Sequence, residues 1–173
     1  GTSEFSASIL QGLFSAGLKP SLVVSTTPKP AGRGLKTKSV PVAQIAKELN
    51  LPLLEVKTLK DKKIQEQLAL SPTPFAILAA FGKIIPPEIL ELYPKGIINV
   101  HPSLLPLYRG PAPMQYAIRD GQHYTGVSLI ILDKEIDHGP ILAQEKCLIQ
   151  EMDNITSLSN KLAGVSVKFL LST

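Results

Sequence analysis

Three side chains in this chain have the types needed to add a nucleophile to a carbonyl. Asn99 and His101 stand two residues apart in Asn99-Val100-His101-Pro102-Ser103-Leu104-Leu105-Pro106, and Asp137 follows in Ile136-Asp137-His138-Gly139. An amide N–H donates to an oxygen that gains negative charge. An imidazole donates or carries positive charge, and a carboxylate orients the imidazole or accepts a proton. The sequence leaves the last two roles open for Asp137. Each residue alone also has a structural reading: a strand-end amide at Asn99, a buried hydrogen-bonded imidazole at His101, and a turn former at Asp137 ahead of Gly139. It is the grouping that points to chemistry. All three lie beside turn signals near the ends of predicted strands, where loops of α/β sheets bring side chains together.

The elements that must position them alternate. Helical spacing runs over 3–16, with Phe5, Ile9 and Leu13 on one face and Gly17 at its end. Further helices are predicted over 42–49, 64–70, 86–92, 112–119 and 155–171. Short β-rich runs fall at 22–26, 53–56, 75–80, 96–100, 127–132 and 142–149. The run 75–80 is continuously apolar, as a strand buried on both faces would be. This alternation predicts an α/β fold with a doubly wound, mostly parallel sheet, and ligands in such folds bind beyond the strands' carboxyl ends.

The chain has 173 residues, enough for one domain, with 44% hydrophobic and 18% charged residues. No apolar run reaches the roughly 18 to 20 residues that span a bilayer. The single Cys147 cannot form an internal disulfide and reads as a buried thiol in a strand. A cytoplasmic setting, no membrane partner and no DNA partner are expected. With three scattered histidines and one cysteine, no metal site is expected. His123 reads as an exposed turn residue and His138 as incidental. The formal net charge is +4. Much of the excess is early: Lys29, Arg33, Lys36 and Lys38 fall within residues 29–38 with no acid among them. That segment reads either as a solvated loop or as a mobile basic loop that meets phosphate.

Asn-x-His-x-Ser-Leu-Leu-Pro, followed by Tyr108-Arg109-Gly110 and by Asp137-His138-Gly139, resembles the folate-dependent formyltransferase family. Pro28-Lys29-Pro30-Ala31-Gly32-Arg33-Gly34 resembles the insertion carried by the branch that acts on methionyl-tRNA. The resemblance implies a Rossmann-like formyltransferase fold over residues 1–173, without the family's first strand and without its smaller C-terminal β-rich domain. It implies transfer of a formyl group from 10-formyltetrahydrofolate to the amine of initiator methionyl-tRNA by a monomer. Asn99, His101 and Asp137 are then the catalytic residues. Ser103, Leu104, Leu105 and Pro106, with Phe81, Gly82 and Ile84 on a second loop, line the folate pocket. Arg33, Lys36, Lys38 and Arg109 meet the tRNA. A small amine as acceptor (glycinamide ribonucleotide or an amino sugar nucleotide) and hydrolysis to formate stay open as alternatives.

Overall fold

The protein is seen in a computed structural model that describes residues 1–30 and 37–172. The elements in chain order are α1 (Glu4–Ser15), β1 (Val23–Thr26), β2 (Lys29–Pro30), β3 (Thr37–Lys38), α2 (Pro41–Glu48), β4 (Leu53–Val56), α3 (Lys62–Ala69), β5 (Ala76–Leu78), α4 (Pro87–Leu90), β6 (Ile97–His101), α5 (Pro113–Arg119), β7 (Tyr124–Ile131), β8 (Ile141–Leu148) and α6 (Ile155–Ser172). Local chemistry sets the boundaries. Ser3 Oγ accepts from the Ser6 N–H at the start of α1, and Asp61 accepts from the Lys63 N–H at the start of α3. Pro41, Pro87 and Pro113 each open a helix where a missing N–H costs nothing.

The α/β class expected from the sequence is observed, with parallel pairing of β1 with β4 and of β5 with β6. The four-stranded sheet β5-β6-β7-β8 is mixed, because β7 runs antiparallel to β6 and β8 antiparallel to β7. β7 and β8 follow one another with no helix between them, and such a connection joins antiparallel neighbours. β6 pairs on both sides: Asn99 stands opposite Leu78 of β5 and Ile130 of β7, and His101 stands opposite Ser128.

Three apolar clusters hold the layers together. Phe5, Ile9 and Leu13 of α1 meet Leu158, Leu162 and Ala163 of α6 over Val127 and Leu129 of β7. Val56, Leu59, Leu68, Phe81, Ile89 and Ile97 form a second cluster, and Ala7, Val23, Val42, Ala46 and Leu51 a third. Cys147 is buried, and that burial pushes its thiol pKa up. The expectation of a two-sided buried strand at 75–80 is corrected. β5 spans only Ala76–Leu78, and Phe75 and Ile77 are exposed. Among the described residues β5 pairs with β6 alone, and an apolar cavity of about 520 Å³ lies between it and β1, lined by Val24, Ile77, Leu78 and Ile9 among others. Residues 1 and 2 cross the end of that cavity. Ser25 Oγ donates to Gly1 O at 2.9 Å, and the Thr2 N–H donates to Ala80 O at 3.2 Å. Among the described residues, no helix is long and apolar enough to cross a membrane.

Leu162 is fully buried in the α1–α6 layer, whereas Leu70 is 82% exposed. Leu162→Ala is expected to lower stability by about 2–5 kcal/mol and Leu70→Ala by less than about 0.5 kcal/mol, as read by urea unfolding.

Candidate active site

Asn99 and His101 are two residues apart on one strand, so both side chains leave the same face of β6. The residues that follow β6 fold back toward that face. Ser103 Oγ donates to Leu107 O at 2.6 Å, and the chain turns through a cis Leu105–Pro106 bond. Tyr108 then adopts φ +57 and Gly110 φ +96. This left-handed Tyr108 aims its carbonyl at the imidazole, with Nε2 and Tyr108 O 2.9 Å apart. A carbonyl only accepts, so Nε2 carries the proton.

Asp137 approaches the same face from the loop between β7 and β8. It too is left-handed, at φ +48, a conformation that Asp tolerates better than most residues. The loop can lie this close because residue 139 is glycine: a Cβ there would collide with the carbonyl oxygen of Ile131. Asp137 Oδ1 accepts from Asn99 Nδ2 at 3.1 Å and lies 3.4 Å from His101 Nδ1. Asp137 Oδ2 accepts from the Gly110 N–H at 2.9 Å. The side chains of His101 and Asp137 are only 5% and 13% exposed. Of the three residues singled out by type, Asn99 and His101 therefore each meet Asp137. Asn99 spends one of its two amide hydrogens on Asp137 and keeps the other.

The residues expected at a folate pocket divide in two. Phe81 is buried in the second apolar cluster, and Ser103 and Leu105 are buried under their own loop. These three shape the loops rather than present a side chain. Gly82 has φ +70 with open space where a Cβ would stand. Ile84 is 81% exposed, Pro106 is exposed and Leu104 is half-buried against Gly126. Leu107, which motif reasoning passed over, is 57% exposed. The two loops follow adjacent parallel strands, β5 and β6, and so leave the sheet on the same edge. An open apolar rim with a bare glycine backbone suits a flat ring with polar edges. The 520 Å³ cavity touches this region only through Phe81 and Ile85 and contains none of Asn99, His101 and Asp137. Arg109 is exposed. Arg33 and Lys36 lie outside the described residues, and Lys38 pairs with Lys29 in the β2–β3 ladder.

Sequence reasoning missed four groups. The Tyr108 carbonyl and the Gly110 N–H are backbone atoms, visible beforehand only as a Tyr-Arg-Gly turn. Ser128 and Gln144 are the others. Ser128 Oγ donates to Ser103 O at 2.7 Å and accepts from the Leu105 N–H at 3.0 Å. Gln144 Nε2 lies 2.8 Å from both Leu105 O and Ser128 Oγ. Polar residues inside β7 and β8 were the only available signal. His123 is exposed, as expected. Among the described residues, no group of three His, Cys, Asp or Glu side chains is placed to hold a metal ion.

A profile described as formyl transferase matches residues 1–173. The chain is 42% identical over 173 residues to the methionyl-tRNA formyltransferase of Thermodesulfovibrio yellowstonii, covering all of this chain and 56% of that protein. It is 43% identical over 150 residues to the methionyl-tRNA formyltransferase of Thermus thermophilus, covering 87% of this chain and 49% of that one. The chain thus spans about half the length of the curated relatives it matches. Among solved structures it is similar to a phosphoribosylglycinamide formyltransferase from Bacillus halodurans, with TM-score 0.75 and 28% identity over 97% of this chain and 87% of that one.

His138 stands beside Asp137 on the protein surface. Its Nδ1 is 3.0 Å from Asp133 Oδ2, and that bond, with Glu135 nearby, raises the imidazole above its usual 6.5. The same bond holds the Asp133 carboxyl below its usual range. The pair therefore contributes most between these two ranges. It is lost as pH rises through the raised His138 value or falls through the lowered Asp133 value. An NMR titration is expected to place the His138 midpoint above 6.5, and Asp133→Asn to move it down.

Proposed function

The chain belongs to the formyl transferase family, and from that premise we propose that it transfers a formyl group from 10-formyltetrahydrofolate to the amino group of methionyl-tRNA. The observation that carries this reading is the contact of Asn99 and His101 with Asp137, a carboxylate drawn from a distant loop onto one face of β6. The names of relatives at 42% and 43% identity favour tRNA as acceptor. The cytoplasmic setting and the monomeric state belong to the same reading.

10-Formyltetrahydrofolate would supply a formyl carbon open to attack by an amine. The loops at 81–84 and 104–107 would hold it, with Ile84, Pro106 and Leu107 as apolar contacts and Gly82 as bare backbone. The free N–H of Asn99 donates to the formyl oxygen as negative charge develops there. His101 Nε2–H reaches the same oxygen when that oxygen displaces the Tyr108 carbonyl. Removing one such donor costs roughly 2.7 to 4 kcal/mol of barrier. Asp137 lies 3.4 Å from Nδ1 of His101 and holds the ring in orientation. Two hydrogen-bond donors, Asn99 Nδ2 and the Gly110 N–H, occupy its oxygens, and about four lone-pair sites exist. A site is thus left to receive the proton that the attacking amine loses and to return it to the tetrahydrofolate nitrogen as the bond from that nitrogen to the formyl carbon breaks.

The likeness to a phosphoribosylglycinamide formyltransferase favours a second reading, in which the acceptor is a small amine. Offering methionyl-tRNA and glycinamide ribonucleotide in parallel to the full-length protein separates the two. Formylation of the tRNA is expected, and formylation of the small amine alone would overturn the acceptor while keeping the chemistry. His101→Ala and Asp137→Ala are each expected to lower turnover at least about 100-fold with the fold retained by circular dichroism. Near-normal turnover in either would sink the mechanism. Arg33→Ala is expected to weaken use of methionyl-tRNA and leave the donor KM in place, as steady-state kinetics with each substrate varied would reveal.

A further inference from the structure

A chain of contacts leads from the imidazole of His101 out to the protein surface. His101 Nε2 bonds the Tyr108 carbonyl at 2.9 Å. The Tyr108 hydroxyl donates to Asp120 Oδ2 at 3.2 Å. Asp120 Oδ1 accepts from Arg119 Nε at 2.8 Å. The Arg119 guanidinium then lies over the Tyr116 ring, 4.5 Å from its centroid. Tyr116 and Arg119 are three residues apart on α5 and share one face.

The isolated reading of this patch is a solvated helix face. Two features argue against that. The guanidinium is fixed from two sides, by Asp120 at Nε and by the Tyr116 ring beneath Cζ, yet its side chain is 67% exposed. A flat cation is therefore held in place while most of it stays open to solvent. The hydrogen bond also raises the Arg119 pKa and lowers that of Asp120, so both stay charged. Second, the patch is tied through Tyr108 to the loop that carries Arg109 and Gly110, and Gly110 bonds Asp137. Arg109 is itself close enough to His138, the neighbour of Asp137, to oppose its protonation.

We propose that Tyr116 and Arg119, anchored by Asp120 and Tyr108, form a stacking platform for an unpaired nucleotide at the 3′ end of the acceptor RNA. The proposal rests on the tRNA reading of the site. An aminoacyl group is esterified to the terminal nucleotide, so the reacting amine brings unpaired bases to the rim of the site. Every base has a π face, and a planar guanidinium stacks on it while countering the adjoining phosphate. Arg109, on the linked loop, supplies a second cation toward the same backbone.

The test uses the full-length protein and the variants Arg119→Ala, Arg119→Lys, Tyr116→Ala and Tyr116→Phe. Both alanine variants are expected to raise the KM for methionyl-tRNA about tenfold, with the KM for 10-formyltetrahydrofolate within about twofold. Tyr116→Phe keeps the ring and should restore the acceptor KM. Arg119→Lys keeps the charge but not the plane and should not. Fluorescence anisotropy with a single-stranded RNA ending in CCA should weaken in parallel. Unchanged acceptor KM and unchanged RNA binding in both alanine variants would overturn the platform. Full rescue by Arg119→Lys would also overturn it, leaving a simple charge contact. If the unmutated protein binds the RNA but does not formylate methionyl-tRNA, the acceptor reading fails and the RNA-binding series alone decides the platform.

Discussion

The carboxylate of Asp137 is the constraint on which the site is built. Its side chain is 13% exposed, and a charge so far withdrawn from water must be met by donors. It is met by hydrogen bonds from Asn99 and from the main-chain N–H of Gly110, with the His101 ring 3.4 Å away. The Asn99 bond ties the Asp137 loop to the face of β6, and the Gly110 bond ties it to the turn after that strand. Two non-glycine residues, Tyr108 and Asp137, take left-handed backbone to make these contacts. Such conformations cost of order 1–3 kcal/mol each and persist where the surroundings over-determine them. Here the surroundings are a buried charge and the imidazole beside it.

The loop that carries Tyr108 and Gly110 is itself secured from below. Ser128, fully buried, and Gln144 together engage the main chain of Ser103 and Leu105 at both donor and acceptor positions. Buried polar groups of this kind are costly unless every member is satisfied, and a satisfied network specifies one arrangement. The turn after β6 is thus held on one side by the interior of β7 and β8 and on the other by Asp137. Ser128 stands opposite His101 in the β6–β7 ladder, so a small shift there reaches His101 both across the ladder and through the turn that carries Tyr108.

Much of this was legible in the sequence, for reasons that differ by level. The strand–helix alternation follows from periodicity, and the bounds of β4 were read to the residue. Asn99, His101 and Asp137 stood out because their side-chain types carry chemistry. The run 75–80 misled because apolar composition reports what a residue suits, not how many neighbours it has. Among the described residues β5 pairs only with β6, and Phe75 and Ile77 stay exposed. Gly110 and Tyr108 act through backbone atoms, which no residue type announces. The motif placed Phe81, Ser103 and Leu105 at a folate pocket without announcing that their side chains are buried within the loops.

The antiparallel direction of β7 has a further consequence for how the site closes. In an all-parallel sheet every ligand-facing loop comes from the strands' carboxyl ends. Here the register pairs Ile98 with Ile131 and His101 with Ser128, so β7 ends beside the start of β6. The Leu132 N–H bonds Ile97 O at that end. The loop bearing Asp137 therefore enters from the amino end of β6, while the Tyr108–Gly110 turn enters from the carboxyl end. They meet over the face that carries Asn99 and His101, and the bond from Gly110 to Asp137 joins them. The carboxylate is thus the point at which two oppositely directed loops close over one strand.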